Sequence, residues 1–332
     1  MANLTLTEIY QLSYSALSRC GAAEVQAAPG AKSVQDAEAD GIRNVGLGYL
    51  PIYLGHLLHD KLRGDAVPQL VKQEGAVMQI DAANGFSHTA FDHFLPDFAD
   101  LTRQQGIAIM SIQNGYSAGV VGWFNDLLAK EGFLNFGFAN APSSVHPAGG
   151  KKKFFGTNPL GFGAPRGDGP PIIVDLATSM TAKVNVKQAA AEGREIPLGW
   201  AQDSEGNPTT DPAAGLAGSL SPLGGAKGYG LGLMVELMAA GLTGGNWAFE
   251  APQFGNNEGT YPNVGQTFIA IDPAKTGGEA YAERVEHMLG ALLSQDGVRL
   301  PGQRRAVFRA DAEANGIEVP DALIEKINGF GK

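Results

Sequence analysis

The chain has 332 residues, 44% hydrophobic and 17% charged, which is enough to bury a large core in an ordinary globular fold and by length alone to form two domains. Lys plus Arg number 24 against 34 for Asp plus Glu, and the longest basic run is Lys151-Lys152-Lys153, so a chain of formal charge −10 is a poor partner for nucleic acid or an anionic membrane. One cysteine, Cys20, excludes an internal disulfide and a multi-cysteine metal site, and no run approaches the roughly 18 apolar residues of a membrane span.

Glu8 interrupts the apolar residues of the N-terminus, so no signal peptide is expected and the cytosol is the default compartment. Thr5-Leu6-Thr7-Glu8 has the form of a capping box, followed by Ile9, Leu12 and Leu17 at helical spacing until Gly21. Cys20, near the end of that pattern, reads as a packed residue. A second helix is expected from Ser33 to Asp40, and a third from Pro51 to Leu62 with Tyr53, Leu54, Leu57 and Leu58 on one side. At Gly75 the texture changes. Strands are expected at Ala76 to Ile80, Ile107 to Ile112, Phe133 to Phe138, Ile172 to Leu176 and Thr267 to Ile271. Helices are expected at Phe86 to Gln105 with a bend at Pro96, Ala118 to Lys130, Thr181 to Glu192 and Ala280 to Ser294. The segment from Gly228 to Leu242 is apolar on every side and reads as a buried helix. The tail from Arg304 to Asn328 reads as helical, broken near Gly316 and Pro320.

Alternating strands and helices point to an α/β chain. No strand leads into a Gly-x-Gly-x-x-Gly turn with an acidic residue about 20 positions later, so the Rossmann fingerprint is missing. Gly224-Gly225-Ala226-Lys227-Gly228 opens a helix whose exposed N–H groups, dipole and lysine suit a pyrophosphate; alternatively its glycines only permit close packing. Pro301-Gly302-Gln303-Arg304-Arg305 offers paired guanidinium forks for a phosphate, or a solvated basic patch at a helix start. Asp175, at a strand end, reads by itself as a cap. Of six histidines, His56 and His59 share helical spacing but no carboxylate or cysteine completes a metal set, so they read as a surface pair and no metal is expected. His146 lies in a loop, where a histidine either solvates or moves protons.

Five words carry a resemblance: Gly156-Thr157-Asn158-Pro159, Asp175-Leu176-Ala177-Thr178-Ser179, Gly193-Arg194-Glu195-Ile196-Pro197, Pro208-Thr209-Thr210-Asp211-Pro212 and Gly224-Gly225-Ala226-Lys227-Gly228. They and their order resemble the malate/L-lactate (also L-sulfolactate) dehydrogenase family of non-Rossmann NAD(P)-dependent oxidoreductases. The resemblance implies a mixed-sheet domain over 75–275 that binds NADPH or NADH. A helical domain built from both chain ends, 1–74 plus 276–332, would complete a homodimer acting on a small carboxylate. It implies cofactor contacts at Tyr116, Ser117, Asn140, Ala141, Thr157, Asp175, Leu176, Ala177, Lys227, Gly228, Arg304 and Arg305, the two arginines suiting a ribose 2′-phosphate.

The chain departs from the family pattern where the substrate is handled. Family members usually carry Ser-His-Gly and, three positions on, an arginine before Leu-Pro-x-Tyr; here the run is Asn44-Val45-Gly46-Leu47-Gly48-Tyr49-Leu50-Pro51-Ile52-Tyr53. Val45 replaces the histidine that donates a proton, and Tyr49 the arginine that holds the carboxylate. In Asn114-Gly115-Tyr116-Ser117, Ser117 replaces a second histidine. Candidate groups for the chemistry are therefore Lys183, as acid or carboxylate partner, His146, Asn44, Tyr49, Tyr53, Tyr116 and Ser117. A protonated cyclic imine carries its own proton, so the reading leans to hydride transfer onto a Δ1-pyrroline- or Δ1-piperideine-2-carboxylate. The alternatives are a 2-hydroxy acid dehydrogenase with a relocated donor, Lys183 or His146, and a catalytically silent NAD(P)-binding protein.

Overall fold

The computed structural model of the protein describes residues 1–167, 169–278 and 280–331. β1 (Ala2–Leu4) leads into α1 (Leu6–Arg19), and the capping box forms as the sequence predicts. Thr5 Oγ1 accepts the Glu8 N–H at 3.2 Å while the Glu8 carboxylate accepts the Thr5 N–H at 2.8 Å. Cys20 is buried. α2 (Glu24–Ala39) starts well before the expected Ser33 and runs through Pro29. Proline removes one helical hydrogen bond, but Gln26, Ala27, Gly30 and Ala31 beside it are buried, and packing overrides the local breaker.

α3 (Leu50–Leu58) ends before the expected Leu62. Next come β2 (Gln69–Glu74), an exposed edge strand the pattern does not foresee, β3 (Val77–Asp81), α4 (Ser87–Gln105) and β4 (Ile107–Gly115). α5 (Val121–Lys130), β5 (Leu134–Ala139), β6 (Leu160–Ala164) and β7 (Ile172–Leu176) complete this stretch. β6 escapes a sequence reading because of its glycines, and packing demands them. A Cβ at Gly161 would lie 1.8 Å from the side-chain amide of Asn125.

α6 (Lys183–Ala191) is followed by β8 (Ala201–Gln202), β9 (Pro208–Thr209), α7 (Pro212–Ala217) and β10 (Ser219–Leu220), which build a small three-stranded sheet with one helix. α8 (Ala226–Glu236) continues into a π-turn at Leu237–Gly241. It is not buried all round, as its composition suggests: Leu231, Leu233, Met234 and Leu237 are 37%, 39%, 40% and 52% exposed. Only the face with Gly228, Gly232, Val235 and Glu236 packs inward, and among the described residues no layer covers the other. β11 (Val264–Ile271), α9 (Ala280–Leu293), α10 (Gln303–Asn315), β12 (Ile317–Val319) and α11 (Asp321–Gly329) close the chain, with the tail broken where Gly316 and Pro320 fall. β12 pairs antiparallel with β1, so the two chain ends meet.

The main sheet has seven strands in the order β2-β3-β4-β11-β5-β6-β7, with β3 and β4 parallel and the other neighbours antiparallel. It is a mixed sheet outside the Rossmann pattern, as expected. One core forms between α1, α2, α3 and the C-terminal elements, and includes Leu17, Val34, Leu54 and Ile327. Another lies against the sheet around Phe91, Met110, Phe124 and Phe268. Because β6 runs antiparallel between β5 and β7, its start falls beside their ends: Leu160 pairs with Phe138 on one side and Leu176 on the other. Ala141, Thr157 and Ala177 are thereby brought together from distant parts of the chain.

Candidate active site

Those three residues line a cavity of about 430 Å³. Its opposite wall is Asn44, Val45, Tyr49 and Ile52, one side is Lys183, Val184 and Lys187 of α6, and another is the loop of Gln253, Phe254 and Gly255. A cavity this size suits a small ligand or one end of a larger one. Of the residues singled out from sequence, the fold gathers Asn44, Tyr49, Ala141, Thr157, Ala177 and Lys183 here.

Lys183 stands at the first position of α6, where the helix dipole disfavours a cation. Burial holds its pKa below the ordinary lysine value, and the charges of Lys153 and Lys187 lower it further. Asp and Glu are missing from the cavity lining among the described residues. An ammonium under these conditions gains most from an anion that arrives from outside. Tyr49 is half-buried, and burial pushes its hydroxyl well above its usual pKa. It stays protonated, a hydrogen-bond donor and a very weak acid.

Other expected residues lie elsewhere. His146 is not in the lining; its Nδ1 sits 3.0 Å from the neighbouring Pro147 carbonyl. Tyr53 is buried and faces a separate small chamber with Asp36, His88 and Trp123. Tyr116 is buried behind the wall with its hydroxyl bonded to His56 Nδ1, and Ser117 Oγ accepts the Gly119 N–H at 3.2 Å. The Asn140 side chain is used within the protein, donating to Glu236 Oε1 (3.2 Å) and the Asn246 carbonyl (2.8 Å) and accepting from Gly265 N–H (3.0 Å). Glu236 is itself buried and also takes the Asn158 amide (2.6 Å) and the Ala248 N–H (2.6 Å).

Asp175 is a cap, but for a distant helix: it accepts the Gly122 N–H at the start of α5 (3.2 Å) and pairs with Arg305 at 2.9 Å. Leu176 is 48% exposed. Arg304 and Arg305 line a surface groove of about 380 Å³ with Arg299 and Gly302. The α8 start has no side-chain cap; Gly224 and Gly225 hold φ of 58° and 68° and open space lies where a Cβ would be. Lys227 is exposed beside it. An uncapped helix start with an adjacent ammonium, plus an arginine groove, has the donor chemistry a phosphorylated cofactor requires. Gly228 is explained by packing, since a Cβ there would lie 2.3 Å from the Leu223 carbonyl oxygen.

His56 and Lys61 are polar residues that the sequence reading missed. His56 is not a surface residue; it is wholly buried and touches the loop carrying Phe254, while His59 alone is exposed. The signal was present: His56 falls one helical turn after Tyr53, on the apolar side of α3. Among the described residues, no cluster of three or more His, Cys, Asp or Glu could hold a metal ion, and no helix is long and apolar enough to cross a membrane.

Residues 4–328 match the family described as malate/L-lactate dehydrogenase. The chain is 39% identical over 327 residues to a (2R)-3-sulfolactate dehydrogenase (NADP(+)) of Chromohalobacter salexigens, covering 98% of this chain and 97% of that protein. It is 38% identical over 298 residues to a Δ1-pyrroline-2-carboxylate/Δ1-piperideine-2-carboxylate reductase of Pseudomonas syringae pv. tomato, covering 90% and 87% of the two chains. The crystal structure of Δ1-piperideine-2-carboxylate reductase from that organism superposes with a TM-score of 0.94 at 35% identity, over 99% of this chain and 100% of the other.

Proposed function

The chain belongs to the malate/L-lactate dehydrogenase family, and on that premise we propose an NAD(P)-dependent oxidoreductase acting at the carbon next to a carboxylate, with a cyclic 2-imino acid as substrate. The relatives named for Δ1-pyrroline- and Δ1-piperideine-2-carboxylate reduction support the substrate class. The observation that carries it is the cavity lining, which combines the unpaired Lys183 with apolar Val45, Ile52 and Phe254 and holds no carboxylic acid or imidazole among the described residues.

A bound nicotinamide supplies the hydride. Lys183 holds the substrate carboxylate, and Tyr49 and Asn44 orient it by hydrogen bonding. Val45, Ile52 and Phe254 enclose the ring and exclude water. The iminium nitrogen already bears its proton, so its reduction would require no acid from the protein. For the cofactor, we assign the strand ends at Ala141, Thr157 and Ala177 to the nicotinamide end, the α8 start with Lys227 to the pyrophosphate, and Arg304 to a ribose 2′-phosphate, which favours NADPH over NADH.

A second reading is a 2-hydroxy acid dehydrogenase, favoured by the lowered pKa of Lys183, which makes that ammonium a better proton donor to an alkoxide. Absorbance loss of NADPH and NADH against a panel of cyclic imines and 2-oxo acids separates the two. Turnover of imines with little on pyruvate or oxaloacetate is expected, and rapid turnover of 2-oxo acids alone refutes the imine reading. The exposed apolar side of α8 supports a homodimer, and the division into 75–275 and the two chain ends is retained as the domain proposal. The cytosol, with its nicotinamide pool, is the proposed compartment.

A further inference from the structure

Lys61 is fully buried, and among the described residues no carboxylate forms an ion pair with it, although the Glu258 charge acts on it from nearby. Its ammonium donates instead to three backbone carbonyls of one loop, those of Gln253 (2.7 Å), Asn256 (3.0 Å) and Glu258 (2.6 Å). Three N–H donors meet three acceptors, which saturates the group. The turn after α3 makes this possible. Asp60 takes a positive φ of 52°, and the Lys61 and Leu62 N–H groups both bond back to the His56 carbonyl at 2.9 and 3.2 Å, which carries Lys61 toward the loop rather than into solvent.

His56 grips the same loop from α3. Its Nε2 lies 2.8 Å from the Asn256 carbonyl, and because a carbonyl only accepts, Nε2 bears the proton. In the neutral ring that burial favours, Nδ1 is then the acceptor for the Tyr116 hydroxyl. The loop also lies close to the helix: a Cβ at Gly55 would be 3.0 Å from Asn257 Oδ1. On its other side this loop presents Gln253, Phe254 and Gly255 to the cavity, with the Phe254 ring 5.4 Å from that of Tyr116.

We propose that Lys61 is a positioning residue, a tethered cation that locks the loop of residues 253–258 and thereby sets the Phe254 wall of the substrate cavity. The proposal rests on that cavity receiving the substrate. The bonds of Lys61 itself go to this loop alone, and the loop meets the segment after Ala141 through one bond, from Gln253 Nε2 to the Ser143 carbonyl at 3.2 Å, so the larger effect of losing the clamp should fall on substrate binding.

Lys61→Ala opens a cation-sized cage of three carbonyls. The Michaelis constant for Δ1-piperideine-2-carboxylate should rise about tenfold or more, since a small misplacement of a positioning wall costs that much or greater. NADPH affinity, followed by its fluorescence, should stay within about twofold, a factor well below 1 kcal/mol. Propylammonium should restore part of the loss, and tetramethylammonium, which has no N–H to donate, should not. Lys61→Met, which keeps the stem without the charge, should show the same rise without rescue and serves if Lys61→Ala fails to fold. Amide hydrogen exchange over residues 253–258 should quicken in both variants and slow again in Lys61→Ala with propylammonium. Unchanged exchange, or faster exchange with an unaltered Michaelis constant, overturns the proposal. A wild-type enzyme that reduces no imine counts against the substrate reading alone, because the exchange measurement still decides the clamp.

Discussion

On one wall of the cavity Lys183 stands at the start of α6 with its charge unmatched among the described residues, and on another Lys61 sits beneath the 253–258 loop with every N–H donor used. Burial lowers the pKa of both, so burial alone does not tell a ligand-facing lysine from a structural one. What separates them is where the hydrogen bonds go. The α3 side spends its polar groups internally, through His56, Lys61 and Tyr116. The α6 side leaves a cation waiting. By the same measure Asn140 and Glu236, beside the strand ends at Ala141 and Thr157, belong with the structural set, since each is bonded within the protein.

The largest effect should come from removing the unmatched charge. Lys183→Met should lower kcat/KM for the anionic substrate about 10²-fold, the scale of a lost hydrogen bond to a charged group, with NADPH affinity retained. In the wild type the Michaelis constant should climb as alkaline pH neutralises Lys183, at lower pH than an ordinary lysine would require. Wild-type kinetics in the variant would erase the distinction between the two walls.

His88 tests the exception on the saturated side. It is buried in the chamber behind Val45 and Tyr53, and its Nδ1 finds no partner among the described residues. Burial lowers its pKa from 6.5 to about 4. Above pH 6.5 it is neutral both folded and unfolded and contributes no slope. Between there and about 4 the unfolded chain takes up a proton that the folded chain refuses, so stability should fall by about 1.4 kcal/mol per pH unit. Glu38, Asp40, Asp92 and Glu236, whose pKa values desolvation raises, act in the opposite sense as pH falls, so urea titrations should show the His88 slope as the difference between the wild type and His88→Phe. A smaller effect is expected at the cofactor side: Gly228→Ala should cost about 1 kcal/mol or more in the same titration, because its methyl group meets the Leu223 backbone. Stability unchanged there, with cofactor affinity lost, would mean the glycine is kept for the ligand.

Much of the fold could be read from the chain because it is written locally. The α1 capping box, the β7 run and the breaks at Gly316 and Pro320 are short-range signals, and each appears where expected. β6 and the early half of α2 were hidden because tertiary packing overrides local rules. The glycines of β6 leave room for Asn125, and the buried face of α2 carries Pro29 along. The exposed side of α8 shows the converse, since apolar composition does not by itself say whether the same chain covers a helix. At the site, Lys183, Tyr49 and Asn44 were legible because they sit in or beside recognisable words. Lys61 was not, and of His56 only the burial was, because the loop partners of both are backbone carbonyls at separations of 192 to 200 residues. No spacing in the sequence announces such a contact.

The most direct test of the unmatched charge is calorimetric binding to the NADP+-loaded protein of two planar probes, pyrrole-2-carboxylate and its neutral carboxamide. The carboxylate should bind more tightly to the wild type by about tenfold or more, roughly the worth of one charged contact, and Lys183→Met should remove that preference while leaving carboxamide binding unchanged. Equal affinity for the two probes in the wild type, or a preference that survives in Lys183→Met, would contradict the account.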